Sequence, residues 1–465
     1  MNRIGNELNK LVNRSLDRHV RLAVTGLSRA GKTAFITSLV NQLMHVSTNP
    51  RLPLFSAVRE GHLLGAKRVP QVDMHVPKFA YEEGINSLLS SPPSWPEPTR
   101  DVSQTRLALR YKPQKGPMKL LQETATLYLD IVDYPGEWLL DLPLLDLDFM
   151  AWSKQQAQVI KGKRLELATD WLEMGDMFDP LAPADESVIE AISQRFTEYL
   201  YRCKAEGGLH WVQPGRFVLP GELAGAPVLQ FFPMIWLDKY TEQQLADAGE
   251  DTNIGMLKSR YRYYQQHVVK AFYKEHFSKF DRQIILVDCL QPLNAGPESF
   301  GDMRQALDQL MQSFKYGRSS LMRRLFAPRI DKVLFAATKA DHVTPEQHPN
   351  MVSLLQQLVN EAWQTASFEG IKMDCLSLSS IQATEPGFVD YQGKQVPALR
   401  GHSLDGETQT LFPGEVPRRL PNDIFWQQSG FDFINFRPLV QQSDEPLPHI
   451  RMDKALEYLL GDKLR

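Results

Sequence analysis

Cysteine is scarce: Cys203, Cys289 and Cys375 are the only three in 465 residues. They are too few and too scattered for a disulfide framework or a zinc-ligand spacing, and such usage suits a reducing cytoplasm. No charge of one sign dominates. The 52 Lys and Arg are set against 55 Asp and Glu, a net charge of -3, which gives no general affinity for nucleic acid or anionic lipid. Long hydrophobic runs are missing too. The longest, APVLQFFPMIWL at 226–237, holds two prolines and is too short to span a bilayer. The first 18 residues, MNRIGNELNKLVNRSLDR, interleave charges with Ile4, Leu8, Leu11, Val12 and Leu16, which is helical periodicity rather than a secretory signal. The expectation is a soluble, cytoplasmic chain, at most peripheral to a membrane. No internal repeat or low-complexity tract is evident.

What is present begins with VRLAVTGLSRAGKTAFITSLV, residues 20–40. Arg21 to Thr25 reads as a buried strand, and Thr33 to Met44 as a helix with Phe35, Ile36, Leu39, Val40 and Leu43 on one stripe. Between them Gly26, Gly31, Lys32 and Thr33 fill the pattern G-x-x-x-x-G-K-[ST]. Glycines let the backbone wrap so that successive N–H groups point at the α- and β-phosphates of a nucleotide. The helix N-terminus adds its positive dipole end. Lys32 is placed to reach the β- and γ-phosphates, and the Thr33 hydroxyl to ligate Mg²⁺. Ser28, Arg29, Ala30 and Ala34 complete the expected phosphate cradle.

Two further motifs follow strand-like runs. LYLDIV, 127–132, leads into Asp133-Tyr134-Pro135-Gly136. A D-x-x-G alone is expected about once or twice by chance in a chain of this length, so its place after a strand carries the weight. Asp133 is the expected Mg²⁺ ligand, with Asp130 as its rival, and Gly136 the group that senses the γ-phosphate. VLFAA, 333–337, leads into Thr338-Lys339-Ala340-Asp341, which resembles the [N/T]-K-x-D guanine motif. A carboxylate at Asp341 can accept from guanine N1–H and the exocyclic amine, a pair that adenine does not offer. Lys339 is expected to lay its stem along the base. After MDCLSLSS, Ser380 and Ile381 are candidates for a backbone N–H to the base O6.

The intervening segments are long. Residues 51–104 are polar and proline-rich, with Pro92, Pro93, Pro96 and Pro98 excluding a regular helix. A switch I threonine is expected before the strand Leu107 to Tyr111, with Thr99 preferred over Thr105. Arg29, Arg100 and Arg106 are read mainly as surface arginines, with a charge-stabilising role in catalysis as the alternative. Residues 138–280 read as a mainly helical insertion whose Trp171, Phe196, Tyr199, Tyr261, Tyr264 and Phe272 pack a core rather than stack on bases. Residues 383–465 read as a β-rich appendage with a closing helix at 450–460.

With these pieces in order, the chain resembles a P-loop GTPase of the translation-factor/Ras-like type over roughly 20–50, 105–137 and 281–382. Its full layout is similar to the YcjX-like family of bacterial stress-associated GTPases, through GLSRAGKTAFITSLV, DYPGEWLLDLPLL and TKADHV. The expected fold is α/β, a three-layer P-loop NTPase domain with a mostly parallel sheet, a large helical insertion and a small β-rich C-terminal appendage. The expected parts are an N-terminal helix and start of the G domain at 1–50, an insertion with switch I at 51–104, the G domain resumed at 105–137 and 281–382, and the segments at 138–280 and 383–465 described above. The resemblance implies GTP and GDP as ligands, slow GTP hydrolysis, a link to phage-shock and envelope-stress genes, and so an envelope-stress or peripheral membrane partner. An unidentified protein effector is expected and nucleic acid is not. Lys32, Thr99, Gly136 and Glu137 are the expected catalytic residues, and Thr33, Asp133 and Thr99 the Mg²⁺ set. Glu137 stands where many relatives of this class carry a water-orienting Gln, so slow turnover is expected. The rival functions are a P-loop ATPase and a nucleotide-stabilised scaffold with negligible turnover.

Overall fold

The computed structural model describes residues 18–27, 29–98, 101–115, 123–236, 239–312, 330–368, 370–391, 393–428, 431, 433–442 and 445–465. The expected helix at 1–18 (Arg18 excepted), Ser28, Thr99 and Arg100 lie outside them.

From the amino end the elements run β1 (Arg18–Gly26), α1 (Lys32–Met44), β2 (Leu63–Val69), α2 (Tyr81–Leu89), β3 (Ser103–Tyr111) and β4 (Ala125–Asp133). A mainly helical stretch follows, with α3 (Phe149–Val159), α4 (Glu186–Ala205) and α5 (Asn253–Tyr263) among its longer members. The chain returns through β5 (Arg282–Val287), α6 (Pro297–Gln312), β6 (Lys332–Ala337), α7 (His348–Leu358), α8 (Asn360–Phe368) and β7 (Lys372–Ser377). Strands β8 (Thr384–Tyr391), β9 (Lys394–His402) and β10 (Thr408–Leu411) and helix α9 (Met452–Leu460) complete it. Among the described residues no helix is long and apolar enough to cross a membrane.

Two compact units result. One comprises Met1–Tyr134, Phe280–Asn294 and Arg329–Arg465, the other Pro135–Lys279 and Ala295–Pro328. Helix α6 thus groups with the second unit, although the sequence suggested that 281–382 would stay together.

The first unit is an α/β domain on a seven-stranded sheet of order β2-β3-β4-β1-β5-β6-β7. The pairs β4–β1, β1–β5, β5–β6 and β6–β7 are parallel; β2–β3 and β3–β4 are antiparallel. Strand β5, RQIILV, is buried at every residue, as a central parallel strand must be. The expected stripe of α1 packs against this sheet, joined by Met452, Ala455, Leu456, Leu459 and Leu460 of α9. Each Leu, Ile, Val, Phe or Met among them contributes about 1.5–3 kcal/mol by leaving water. Helix α7 packs on β6 and β7. Strand β2 and helix α2 occupy a stretch that the sequence suggested was irregular. β2 is an edge strand whose side chains are mostly half-buried or exposed, so its apolar alternation is weak.

Helix α9 is also tied by charge. The buried Arg282 donates to Leu459 O at 2.8 Å, to Asp462 Oδ1 and Oδ2 at 2.9 and 2.7 Å, and to Asp331 Oδ2 at 3.1 Å. Lys332 Nζ adds a bond to Asp462 at 2.9 Å. Burial acts to raise the Asp462 carboxyl, but these cations outweigh it and hold the group well below the usual range. Strands β10-β9-β8 form a separate antiparallel sheet, the β-rich appendage expected.

The second unit is built on rings. Trp152 stacks on Tyr261 with centroids 5.1 Å apart and meets Phe231 edge-on at 5.6 Å. Trp171 packs on Phe196 and Tyr199 at 4.8 and 5.4 Å. The aromatic residues singled out from the sequence are all buried here. One carboxyl is buried among them: Asp141 accepts from Gly215 N at 2.7 Å, Arg216 N at 3.3 Å and Tyr264 Oη at 2.6 Å. Burial outweighs these donors and pushes it up to about 7.

Candidate functional site

The loop after β1 has the backbone that its glycines permit. At Gly26 a Cβ would fall 2.6 Å from Leu286 O of the neighbouring β5, so only glycine fits there. Gly31 sits at φ 82° and ψ 31°, in the left-handed region, immediately before α1. Arg29 is also left-handed, at φ 62°, and its side chain is exposed. Helix α1 opens with Lys32 and Thr33, takes no side-chain cap and has no acid in its first turn. Its dipole is therefore uncompensated where an anion would sit.

A second loop follows β6. Thr338 N donates to Val287 O at 2.9 Å, continuing the β5–β6 pairing. Lys339 is left-handed at φ 59°, and its Nζ lies 2.6 Å from Asp288 Oδ2. Asp288 also accepts from Leu290 N and Gln291 N at 3.0 and 3.1 Å. Burial would raise Asp288, but the Lys339 ammonium and these amides prevail and keep it ionised, below its ordinary value. Asp341 is 4% exposed. Its Oδ2 accepts from Ala383 N at 2.8 Å, and its Oδ1 lies 3.3 Å from His342 Nδ1. Burial opposes ionisation here too and is again outweighed, chiefly by His342 and then by the Ala383 amide, so this carboxyl lies low. His348 Nε2 contacts Ala340 O at 2.8 Å and fixes the loop from α7.

The two loops open on one pocket of ≈380 Å³. Arg29, Ala30, Gly31, Lys32, Thr33 and Ala34 line one part; Thr338, Lys339, Asp341, Ser379, Ser380 and Ile381 line another. Segments some 300 residues apart in sequence thus meet at the carboxyl ends of β1, β6 and β7, where ligands of open α/β sheets bind.

The rival acids separate. Asp133 ends β4 and is fully buried, in register with Val24 of β1. Asp130 accepts from Gln104 Nε2 at 2.9 Å and lies 3.6 Å from Arg106 Nε. Arg106 in turn contacts His19 Nδ1 at 3.0 Å and covers the Tyr128 ring, so both are engaged along the strands. Thr105 lies within β3, opposite Ile131. Gly136 and Glu137 belong to the second unit, where the buried Glu137 pairs with Lys204 Nζ at 2.7 Å.

A profile of the YcjX-like family, DUF463, matches residues 20–464. The chain belongs to the YcjX-like family. It is 60% identical over 466 residues to the Ras-like GTPase YcjX of Escherichia coli K12, covering all of both chains. It is 45% identical over 477 residues to the Ras-like GTPase YcjX of Shewanella oneidensis MR-1, covering all of this chain and 98% of that one. The YcjX-like match spans residues of both units and the small sheet.

Several residues of this YcjX-like site had no sequence signal of their own. Asp288 directly follows β5 in ILVD, and Asp133 ends β4 in DIVD; an acid closing an apolar strand beside a phosphate-loop strand was the available clue. Trp95, Pro96, Pro98, Leu404, Asn435 and Phe436 also line the pocket. They are brought in by the proline-rich segment, by the turn between β9 and β10 (Leu404) and by the stretch beyond β10, none of which carries a nucleotide motif.

Proposed function

We propose that this chain binds GTP and GDP in the ≈380 Å³ pocket, with Mg²⁺, and hydrolyses GTP slowly to GDP and phosphate as a nucleotide-dependent switch. The observation that carries the reading is the convergence of Arg29–Ala34 and Asp341 on that pocket. Both curated relatives are named Ras-like GTPases.

In this reading the amides of 29–33 and Lys32 hold the phosphates, and Asp341 accepts from the guanine edge. Ser380 and Ile381 face the base O6 with main-chain N–H groups. Thr33 and Asp133 offer a hydroxyl and a carboxylate, the hard oxygen donors that suit Mg²⁺ when phosphates complete its shell. Among the described residues no cluster of three or more His, Cys, Asp or Glu could hold a metal by itself, and this ion does not need one. Bound Mg²⁺ supplies charge neutralisation across the β- and γ-phosphates. Thr99 is assigned to switch I and Gly136 to γ-phosphate sensing on motif position. Slow turnover follows from Glu137, whose anionic group cannot orient water as a neutral amide does. An effector that reads the nucleotide state, within a bacterial stress response, belongs to the same proposal.

Equilibrium binding of GDP, GTP, ADP and ATP tests it, with Asp341→Asn beside the wild type. Guanine preference in the wild type, and a shift of about 100-fold or more towards xanthosine diphosphate in the variant, are expected. Equal binding of ADP and GDP would overturn the base assignment, and no phosphate release above background would leave a scaffold.

A further inference from the structure

The base end of the pocket is closed by residues that no guanine motif contains. Trp95 comes from the proline-rich segment before β3, and Phe436 from the stretch after the small sheet. They are 341 positions apart, yet Trp95 Nε1 donates to Phe436 O at 2.8 Å. Both line the pocket, with Leu404 and Asn435 beside them.

Each partner is held from behind. Ser94 N donates to Ser87 O of α2 at 2.9 Å. Phe436 bridges Ser403, and Arg437 N donates to His402 O at 2.8 Å. A Cβ at Gly401 would fall 2.6 Å from Phe436 Cδ1, so that glycine makes room for the ring. Leu439 N donates to Gln382 O at 3.1 Å, joining the same stretch to the loop after β7. The Phe436 ring meets His342 edge-on at 5.6 Å, and His342 pairs with Asp341. Phe436 is buried, whereas Trp95 remains 36% exposed. A large ring held by its only polar atom at a pocket mouth is placed to cover a flat ligand.

One polar group within the pocket supports a ligand there. The hydroxyl of the buried Thr338 has no hydrogen-bond partner among the described residues. A pocket with polar groups at its base and apolar rings at its rim fits a purine nucleoside.

We propose that Trp95 and Phe436 form a clasp over the nucleoside end of the pocket, so that nucleotide leaves only when the Trp95–Phe436 bond opens. The proposal rests on the guanine-nucleotide reading and extends it. The clasp joins the segment leading to switch I with the small C-terminal sheet, and it sets how long a nucleotide stays. It also gives that sheet a task at the site.

The test is release of radiolabelled GDP from the full chain, chased with unlabelled GDP. Trp95→Phe keeps a ring and loses the donor; release about fivefold faster is expected, the worth of one neutral hydrogen bond. Trp95→Ala removes the cover as well, and release faster on the order of tens-fold is expected. Phe436→Leu accelerates release less than Trp95→Ala, because the accepting carbonyl remains. GDP binding should also change tryptophan emission in the wild type, and Trp95→Phe should lose most of that change. Thermal unfolding of each nucleotide-free variant identifies any that fails to fold, and Trp95→Phe then carries the test. Wild-type release rates in both Trp95 variants, with guanine preference intact, overturn the clasp alone. Failure of the wild type to bind GDP overturns the function and the clasp with it.

Discussion

One buried acid of the helical unit is held in the opposite way to three acids of the sheet unit. In the sheet unit Asp288, Asp341 and Asp462 are buried or half-buried beside cations and amides, and each is held below its ordinary pKa. In the helical unit Asp141 lies among rings, takes three hydrogen bonds and is still pushed up to about 7. A partner charge makes the difference. Lys339, His342, Arg282 and Lys332 compensate the first group directly, whereas the direct contacts of Asp141 are neutral donors. The sheet unit therefore keeps fixed negative charges at strand ends, where a ligand or a helix can be organised around them. The helical unit is packed around rings, and its other buried acids among the described residues, Glu137 and Asp302, are paired with Lys204 and Arg164, so Asp141 is the buried acid there that rings and neutral donors surround.

Breaking that packing should give the largest effect. Trp152→Ala is expected to cost about 3–5 kcal/mol, read by chemical denaturation. GDP affinity of the folded fraction should be unchanged; a parallel loss of affinity would dissolve the contrast between a packing unit and a binding unit. Lys32→Ala should do the reverse. It should lower GDP affinity on the order of 100-fold by removing a charged phosphate contact, while the unfolding midpoint of the nucleotide-free protein stays put.

The pH dependence sharpens the contrast. Asp141 has a folded pKa above its unfolded value, so the folded state holds the extra proton. Its contribution is complete below about pH 4 and is lost as pH rises to about 7. Asp141→Asn should flatten that slope, a change on the order of 4 kcal/mol across the window. Asp462 has the opposite sign. Its folded pKa is depressed, so its contribution is present above the ordinary carboxylate value and fades as pH falls below about 4. Asp462→Asn should cost about 1 kcal/mol at pH 7, discounted because the carboxylate is half exposed. Removal of that loss at acid pH completes the check.

Legibility followed the locality of the signal. The Gly26–Thr33 loop could be read because strand, glycines, lysine and helix are consecutive, and each local requirement is met at Gly26 and Gly31. Strands β1, β4 and β6 were legible as apolar runs and proved longer at one or both ends, since polar termini such as Arg18 and Lys332 carry no apolar signal; the run MDCLSLSS gives a shorter strand, β7 ending at Ser377. Edge strand β2 was hidden by its exposed residues. The partition of α6 was hidden because its groups are satisfied far away in sequence: Asp302 accepts from the amides of His210 and Trp211 at 2.6 and 2.8 Å. The rings at the pocket rim were illegible for the same reason. Nothing near Trp95 or Phe436 announces a partner 341 positions away.

That distance has a consequence for biosynthesis. A ribosome releases the phosphate loop early, but the last lining residue, Phe436, and the Leu447 that bonds Asn41 and Gln42 of α1 emerge near the end of translation. The walls of the pocket are therefore completed only near the end of synthesis, and under the proposed clasp tight retention of a nucleotide would have to await that completion.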